Sequence, residues 1–360
     1  MAKVQPEATI FKNNEPPAFA PHGHCRIGPM CSIPDLLQRF GCDVSSVLAQ
    51  TALPPDIFAH PDQIISYLDA GRLLDDCATA TGCAHFGLLV GQGCSMAGLG
   101  LVGHAARAAT DVSEALRTLV RFLPLFDRGA AISIRLDGDD AHITYGILAG
   151  AMRGAAQAYD LSLMIAFNTL KELCGSCWSP SVVTLPHAAP ADVRSYRSLF
   201  GTQVSFDAWE AALVFDRFWL TRPLAHSTDA ERLRLLGHAA RIEAMLDVTT
   251  SEQVRRQLRA SLPAQWLSEN DVATQLHMTN RTLRRRLEDE GTHFRGIVEQ
   301  LRYATAREFL QASRLECVDI ALLLGYSDAS ALSRAFQRWS GQSPTAWRST
   351  QATAAAGQLD

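Results

Sequence analysis

Nine polar side chains in the last third of the chain are spaced to do one kind of chemistry. Arg281, Arg284, Arg285 and Arg286 lie within one stretch, and Ser330, Ser333, Arg334, Gln337 and Arg338 within another. A guanidinium is a rigid fork of N–H donors that matches the O6 and N7 acceptors of guanine in a DNA major groove, and serine can donate or accept there. On a helix each residue advances by roughly 100°. Setting Leu283 and Leu287 inward turns Arg281, Arg284 and Arg285 outward. Setting Leu332 and Phe336 inward turns Ser330, Ser333, Arg334 and Gln337 outward. Arg286 and Arg338 flank these faces, where a phosphate is the nearer partner. A competing reading keeps some of these arginines in ion pairs with Glu288 or Asp289. Arg284 is the most open to it, being four residues from Glu288.

The elements that must hold these side chains are legible too. Asp319–Pro344 reads as a helix-turn-helix. Ile320, Ala321 and Leu324 give a first helix its apolar face, Gly325 suits a turn that needs positive φ, and Ser327 and Asp328 can cap the second helix. Gly341 and Pro344 end the segment and open a short final helix around Trp347. The pattern occurs twice. Asp271-Val272-Ala273 aligns with Asp319-Ile320-Ala321, Leu276 with Leu324, and His277 with Gly325. After one inserted residue Leu283 meets Leu332, Arg285 meets Arg334 and Leu287 meets Phe336. Histidine enters the left-handed region more readily than most residues, so His277 can replace the glycine. Between the motifs, His293–Gln311 carries Phe294, Ile297, Val298, Leu301 and Phe309 on one stripe. A helix of that length spans roughly 28 Å and can hold two readers about one DNA turn, roughly 34 Å, apart.

These residues resemble the AraC/XylS family of bacterial transcription regulators. The resemblance is carried by MTNRTLRRRLEDEG, by Arg302 and Ala306 of the linker helix, and by IALLLGYSDASALSRAFQRWSGQSPTAWR. It is tight over about residues 250–349 and looser over 33–224, which looks like the effector-binding domain of one branch of that family. The resemblance places base contacts at Arg281, Arg284, Arg285, Ser330, Ser333 and Arg334, in agreement with the helical geometry. It implies double-stranded DNA and a small-molecule effector as partners, and is compatible with RNA polymerase and a second copy of the chain. No cofactor, metal or catalytic residue is implied.

Composition fits. The chain has 360 residues, 47% of them hydrophobic and 19% charged, as in a globular protein of two or three domains. Its net charge of −4 divides unevenly. Residues 251–360 hold 14 Arg, no Lys and 12 acidic residues, a net of +2, and residues 1–250 carry −6. The basic charge is thus concentrated where the motifs nominate a reading face. No apolar run is long enough to span a membrane, and MAKVQPEATIFKNNEPP lacks the apolar core of a signal peptide, so a cytoplasmic protein is expected. Nine scattered cysteines are expected as free thiols.

The expected fold is an α+β effector domain followed by an all-α DNA-binding domain with two helix-turn-helix motifs on a linker helix. Residues 1–29 read as a mobile tail, with His22, His24 and Cys25 too few for a metal site. Residues 30–228 read as the effector domain, 229–249 as a connector helix, 250–350 as the DNA-binding domain and 351–360 as a tail. Ile33–Gln50 and Pro61–Thr81 read as amphipathic helices, with Pro34 and Pro61 in their first turns. Gly91-Gln92-Gly93 lacks the third glycine of a dinucleotide fingerprint and reads as core packing or a loop. Helices are expected at Thr110–Leu123, Ala155–Leu173, Ala191–Phe200 and Asp229–Leu246. A hairpin is expected over Ala130–Ile147 and short strands at Val182–Leu185, Val204–Phe206 and Ala212–Phe215. Cys174-Gly-Ser-Cys177 closes a helix rather than opening one, which favours a helix end with buried thiols over a redox or zinc pair. Arg135 and His142 share one hairpin face and could meet an anionic effector, although Ser133 and Thr144 beside them suit a merely solvated face.

The leading function is therefore a DNA-binding transcription regulator, an activator under small-molecule control. Two alternatives remain. One is an architectural or dimerisation-dependent DNA binder without effector. The other is a cysteine-based alkyl-transfer repair protein, whose Pro-Cys-His-Arg acceptor sequence is absent here. The effector's identity and the target sequence are not legible.

Overall fold

The computed structural model describes residues 23–148, 152–224, 228–243, 245, 248–261 and 266–356. Strand β1 (His24–Arg26) pairs antiparallel with β2 (Ile64–Ser66). The expected tail is therefore wrong at its end: Cys25 and Ile27 are buried in the core. Residues 1–22, His22 among them, lie outside the described residues. The helix expected over Ile33–Gln50 is two, α1 (Ile33–Arg39) and α2 (Val44–Leu48), because the chain turns at Gly41 with φ +72° and Asp43 caps the second. Pro34 occupies the first turn of α1 as expected. Pro61 does not start a helix. The strand β2 intervenes, and α3 (Tyr67–Thr81) begins under a Ser66 cap that accepts from Asp69 N–H at 3.0 Å.

Helices α4 (Phe86–Gln92), α5 (Gly100–Arg107) and α6 (Val112–Phe122) follow. The long helix α7 (Ala155–Cys174) is buried along most of its length. Gly87 and Gly91 let α4 lie against it. A Cβ at Gly87 would stand 2.1 Å from the Gln157 carbonyl oxygen and one at Gly91 2.7 Å from that of Leu161. The glycine stretch is core packing, one of the two readings its sequence allowed. Cys174 ends α7 beside Gly175, and burial pushes its thiol up to about 11. Cys177 is exposed, and both are free.

The hairpin forms as β3 (Ala130–Asp137) and β4 (Asp140–Ile147), with Asp137 opposite Asp140. Strand β5 (Val182–Thr184), helix α8 (Arg194–Phe200) and strands β6 (Gln203–Ser205) and β7 (Ala211–Asp216) complete a five-stranded sheet in the order β3-β4-β7-β5-β6. Only β5 and β6 run parallel. Phe215 of β7 and Trp178 meet edge to face under α7, with ring centroids 5.7 Å apart. Helix α9 spans Asp229–Glu243, and Leu246, the expected end, lies outside the described residues. It is packed on the N-terminal half, with Leu235, Ala239 and Ile242 against α5 and α6.

The remaining helices are α10 (Thr250–Ser261), α11 (Glu269–Gln275), α12 (Asn280–Asp289), α13 (Phe294–Ala312), α14 (Cys317–Leu323), α15 (Ala329–Ser340) and α16 (Pro344–Ala356). α16 continues into the expected tail as far as Ala356. The N-terminal half is thus a mixed α/β unit with one main sheet, and the C-terminal half is all helical. Among the described residues no single helix is long and apolar enough to cross a membrane.

Helix α10 lies across β3 and β4. Ser133 Oγ donates to the Ala260 carbonyl at 3.1 Å and contacts Thr144 Oγ1 at 2.6 Å, and Arg256 donates to the Ala130 carbonyl at 2.9 Å. The Ser133–Thr144 end of the hairpin face is therefore partly covered by α10, with Thr144 buried and Ser133 half-buried. A second contact joins Arg259 to Glu308 at 2.8 Å and to the Tyr159 hydroxyl at 3.0 Å. A third joins the end of α13 to the segment after β5, where Ala188 N–H donates to the Ala312 carbonyl at 2.7 Å.

Candidate nucleic-acid interface

Each motif is built by local chemistry. Ser268 and Asp271 form a capping box at the start of α11, and Glu316 and Asp319 form one at α14. The turns match: Met278 N–H donates to the Ala273 carbonyl at 2.8 Å, and Tyr326 N–H to that of Ala321 at 2.9 Å. His277 has φ +54° and Gly325 φ +73°, as their aligned positions require. Thr279 caps α12 and Asp328 caps α15. The inserted residue thus precedes the second cap, where Ser327 Oγ donates to Asp328 at 2.8 Å.

Helix α13 belongs to both motifs. Ile297 and Leu301 share a core with Val272, Leu283 and Leu287, and Ala306 and Phe309 share one with Ile320, Leu332 and Phe336. Trp266 packs against both cores and donates from Nε1 to the Leu323 carbonyl at 3.2 Å. The Arg302 guanidinium stacks 4.8 Å from the Trp266 ring centre and 5.1 Å from that of Tyr326. These contacts fix one reader relative to the other, and no local sequence pattern announces them.

With Leu283, Leu287, Leu332 and Phe336 wholly buried, Arg281, Arg284, Arg285, Arg286, Ser330, Arg334, Gln337 and Arg338 are exposed, and Ser333 is half-buried. They are not equally available. Arg284 is held in a two-pronged pair by Glu269, at 2.8 and 2.9 Å, and not by Glu288. Gln337 donates to the Gly341 carbonyl at 3.3 Å on its own helix. Arg338 lies 3.9 Å from Glu299, and Arg286 contacts the Met278 sulfur at 3.9 Å. Arg281, Arg285 and Arg334 make no ion pair among the described residues.

The N-terminal half holds a cavity of about 130 Å³, lined by aliphatic side chains that include Leu74, Leu116, Ile132, Ile134 and Leu161. Its polar lining is a buried cluster together with Arg26, Ser162 and Thr169. The Tyr67 hydroxyl donates to Asp127 Oδ2 at 2.9 Å, the Tyr145 hydroxyl lies 3.4 Å from the same oxygen and touches that of Tyr67, and Gly129 N–H donates to Asp127 Oδ1 at 2.7 Å. Burial raises the Asp127 carboxyl above the usual range, opposed by the Gly129 and Tyr67 donors. Arg135 and His142 are not at this cavity. Arg135 is paired with Glu210 at 2.6 Å and His142 lies 3.3 Å from Arg135, so an anionic ligand there would have to displace Glu210. Sequence reasoning missed the cluster because its members are 60 residues or more from Tyr67, and only the fold gathers them.

Residues 41–224 match the model described as the arabinose-binding domain of the AraC transcription regulator, N-terminal, and residues 272–350 match a helix-turn-helix domain. The HTH-type transcriptional regulator VirS of Mycobacterium tuberculosis is 29% identical over 317 residues, covering 87% of this chain and 93% of VirS. The ornithine utilization regulator of Pseudomonas aeruginosa is 25% identical with the same coverage. Transcriptional activator NphR of a Rhodococcus species is 30% identical over 118 residues, 33% of this chain and 34% of NphR. With a paired helix-turn-helix unit behind an N-terminal domain whose family match spans more than half of its length, the chain belongs to the AraC family of transcription regulators, which are DNA-binding proteins and not enzymes.

Proposed function

We propose that this regulator is an activator switched by a small-molecule effector in its N-terminal cavity. One observation carries the effector control: the cavity wall and the contact between the two halves are the same segment. Phe126 and Asp127 line the cavity, Arg128 holds Glu252 of α10, and the Ala130 carbonyl accepts from Arg256. A ligand that shifts Asp127 shifts the seat of α10. The name of NphR supports activation as the direction.

In this reading residues 250–350 form the DNA-binding unit and work on the chromosome in the cytoplasm. Arg281, Arg284, Arg285, Ser330, Ser333, Arg334 and Gln337 face bases, and Arg286 and Arg338 hold phosphate. Arg284 and Gln337 exchange their present partners for DNA. The test is a binding selection from random duplexes with the full chain. Enrichment of two adjacent half-sites about one helical turn apart is the expected result. Recovery of duplexes without a shared sequence would refute sequence-specific reading.

A further inference from the structure

Resting on that reading, we propose that the N-terminal cavity takes a small, mainly apolar molecule bearing one hydroxyl, and that Tyr67, Asp127 and Tyr145 read this hydroxyl. Size sets the first limit. A cavity of about 130 Å³ is comparable to an engineered apolar cavity of roughly 150 Å³ that binds benzene. The ligand is therefore about one aromatic ring or a short alkyl chain.

The lining sets the second limit. Outside the polar cluster the walls are mainly the side chains of Leu74, Leu116, Ile132, Ile134, Leu161 and Ile165. A sugar would bring several hydroxyls against surfaces that cannot bond them, and each unmet hydroxyl counts against binding. The domain's match to an arabinose-binding model thus does not carry over to the chemistry of this cavity.

The cluster sets the third. The Tyr67 and Tyr145 hydroxyl protons are directed at Asp127 or at each other, and Ser162 bonds to Tyr145, which leaves the remaining oxygen lone pairs as acceptors for a ligand O–H. Arg26 also lines the cavity, and its Nε is buried with no acceptor. A hydroxyl can donate to the cluster and accept from Arg26. A carboxylate could accept from Arg26, but it would stand beside Asp127, and the Arg26 guanidinium already pairs with Asp62. The hydroxyl is the group that suits both sides.

The cavity shares a wall with the space between the halves. Val120, Leu123, Ile132 and Ile134 line both this cavity and a larger cleft of about 750 Å³ that also touches Arg256 and Ala260 of α10. Occupancy thus bears on the wall against which α10 sits.

The test is calorimetric titration of the full chain with p-cresol, toluene, octanoate and L-arabinose, with a gel shift on the same protein. Saturable p-cresol binding is expected, with toluene several-fold to about tenfold weaker, the effect of one hydrogen bond to a neutral hydroxyl, and no binding of octanoate or arabinose. Ala158→Leu fills the cavity and should abolish p-cresol binding while the gel shift persists. Tyr145→Phe should remove most of the preference for p-cresol over toluene, and it decides the matter should Ala158→Leu fail to fold. No saturable p-cresol binding, equal binding of toluene, or tighter binding of octanoate or arabinose would overturn the assignment. Those results with the gel shift intact reject this ligand class alone, whereas a wild-type chain that shifts no DNA rejects the regulator reading.

Discussion

Arg128 and Glu252, 124 residues apart, close a buried ion pair across the two halves of the chain. Arg128 Nε donates to Glu252 Oε1 at 3.0 Å, and the side chains are 9% and 1% exposed. Arg256, four residues on, also reaches Glu252 at 3.3 Å. Desolvation of both charges offsets much of their attraction, but removing one leaves the other buried with too few partners. Arg128→Ala should therefore cost roughly 3 kcal/mol, whereas Arg128→Met with Glu252→Gln should recover part of it, because the amide oxygen stays as an acceptor for Arg256. Urea unfolding of the full chain measures both. Equal losses in the single and double variants would show that the pair does not couple the halves.

The two turns make opposite demands. Gly325 sits at φ +73°, and a Cβ there would stand 3.0 Å from Trp266 Cδ1 and 3.2 Å from Arg302 Nη2. Gly325→Val should lose at least about 1 kcal/mol through backbone strain and crowding. His277 already holds φ +54° with a side chain. His277→Gly should be within roughly 1 kcal/mol of wild type, because relief of strain offsets the added freedom of the unfolded chain. Melting temperatures of both variants check this, and an unchanged value for Gly325→Val would contradict the turn's role.

On DNA the arginines of α12 should separate by their present partners. Arg285, without an ion pair, should relax preference at one or two base pairs when changed to alanine, by roughly 1–3 kcal/mol of discrimination. Arg286→Ala should weaken all sequences alike and flatten the salt dependence. Glu269→Gln releases Arg284 from its pair and should tighten binding. Because α12 presents three arginines and α15 one with two serines, the half-site under α12 should hold more guanine and tolerate fewer changes. Selections and salt titrations read all four. A sharper preference under α15, or an Arg286→Ala variant with altered specificity, would reverse the assignment.

His187 gives the fold a pH dependence. Its Nε2 lies 3.1 Å from Asp160 Oδ1 and its Nδ1 3.0 Å from the Ala188 carbonyl, so both nitrogens donate, and the Tyr196 hydroxyl donates to the other Asp160 oxygen at 2.6 Å. Burial is the largest influence and opposes the charged ring, but the Asp160 carboxylate, the Ala188 carbonyl and Asp207 together outweigh it and hold His187 above its ordinary value of 6.5. A group raised on folding contributes its full stability below the unfolded value and loses it as pH rises through the folded one. The stability of wild type relative to His187→Asn should therefore fall as pH increases above 6.5. Paired melting curves from acid to alkaline pH test this, and a constant difference would show that His187 is neutral throughout.

The sequence alone determined the DNA-binding unit, because its signals are local. Caps, a left-handed turn residue and apolar positions four apart each act within one or two helical turns, so both motifs, their repeat and the outward arginines were legible from Asp271 to Trp347. The hairpin at Asp137–Asp140 was legible for the same reason. What only the tertiary structure decided depends on residues far apart in the chain. Strand β1 could not be read from three residues, because its partner β2 lies 40 positions on. The Glu269–Arg284 pair spans 15 residues and two helices, so the nearer Glu288 misdirected the local reading. The Tyr67–Asp127–Tyr145 cluster and the Arg128–Glu252 pair exist because packing removes these groups from water, where each must find a partner or destabilise the fold. Which polar side chains must pair is set by burial, and burial is a property of the whole fold.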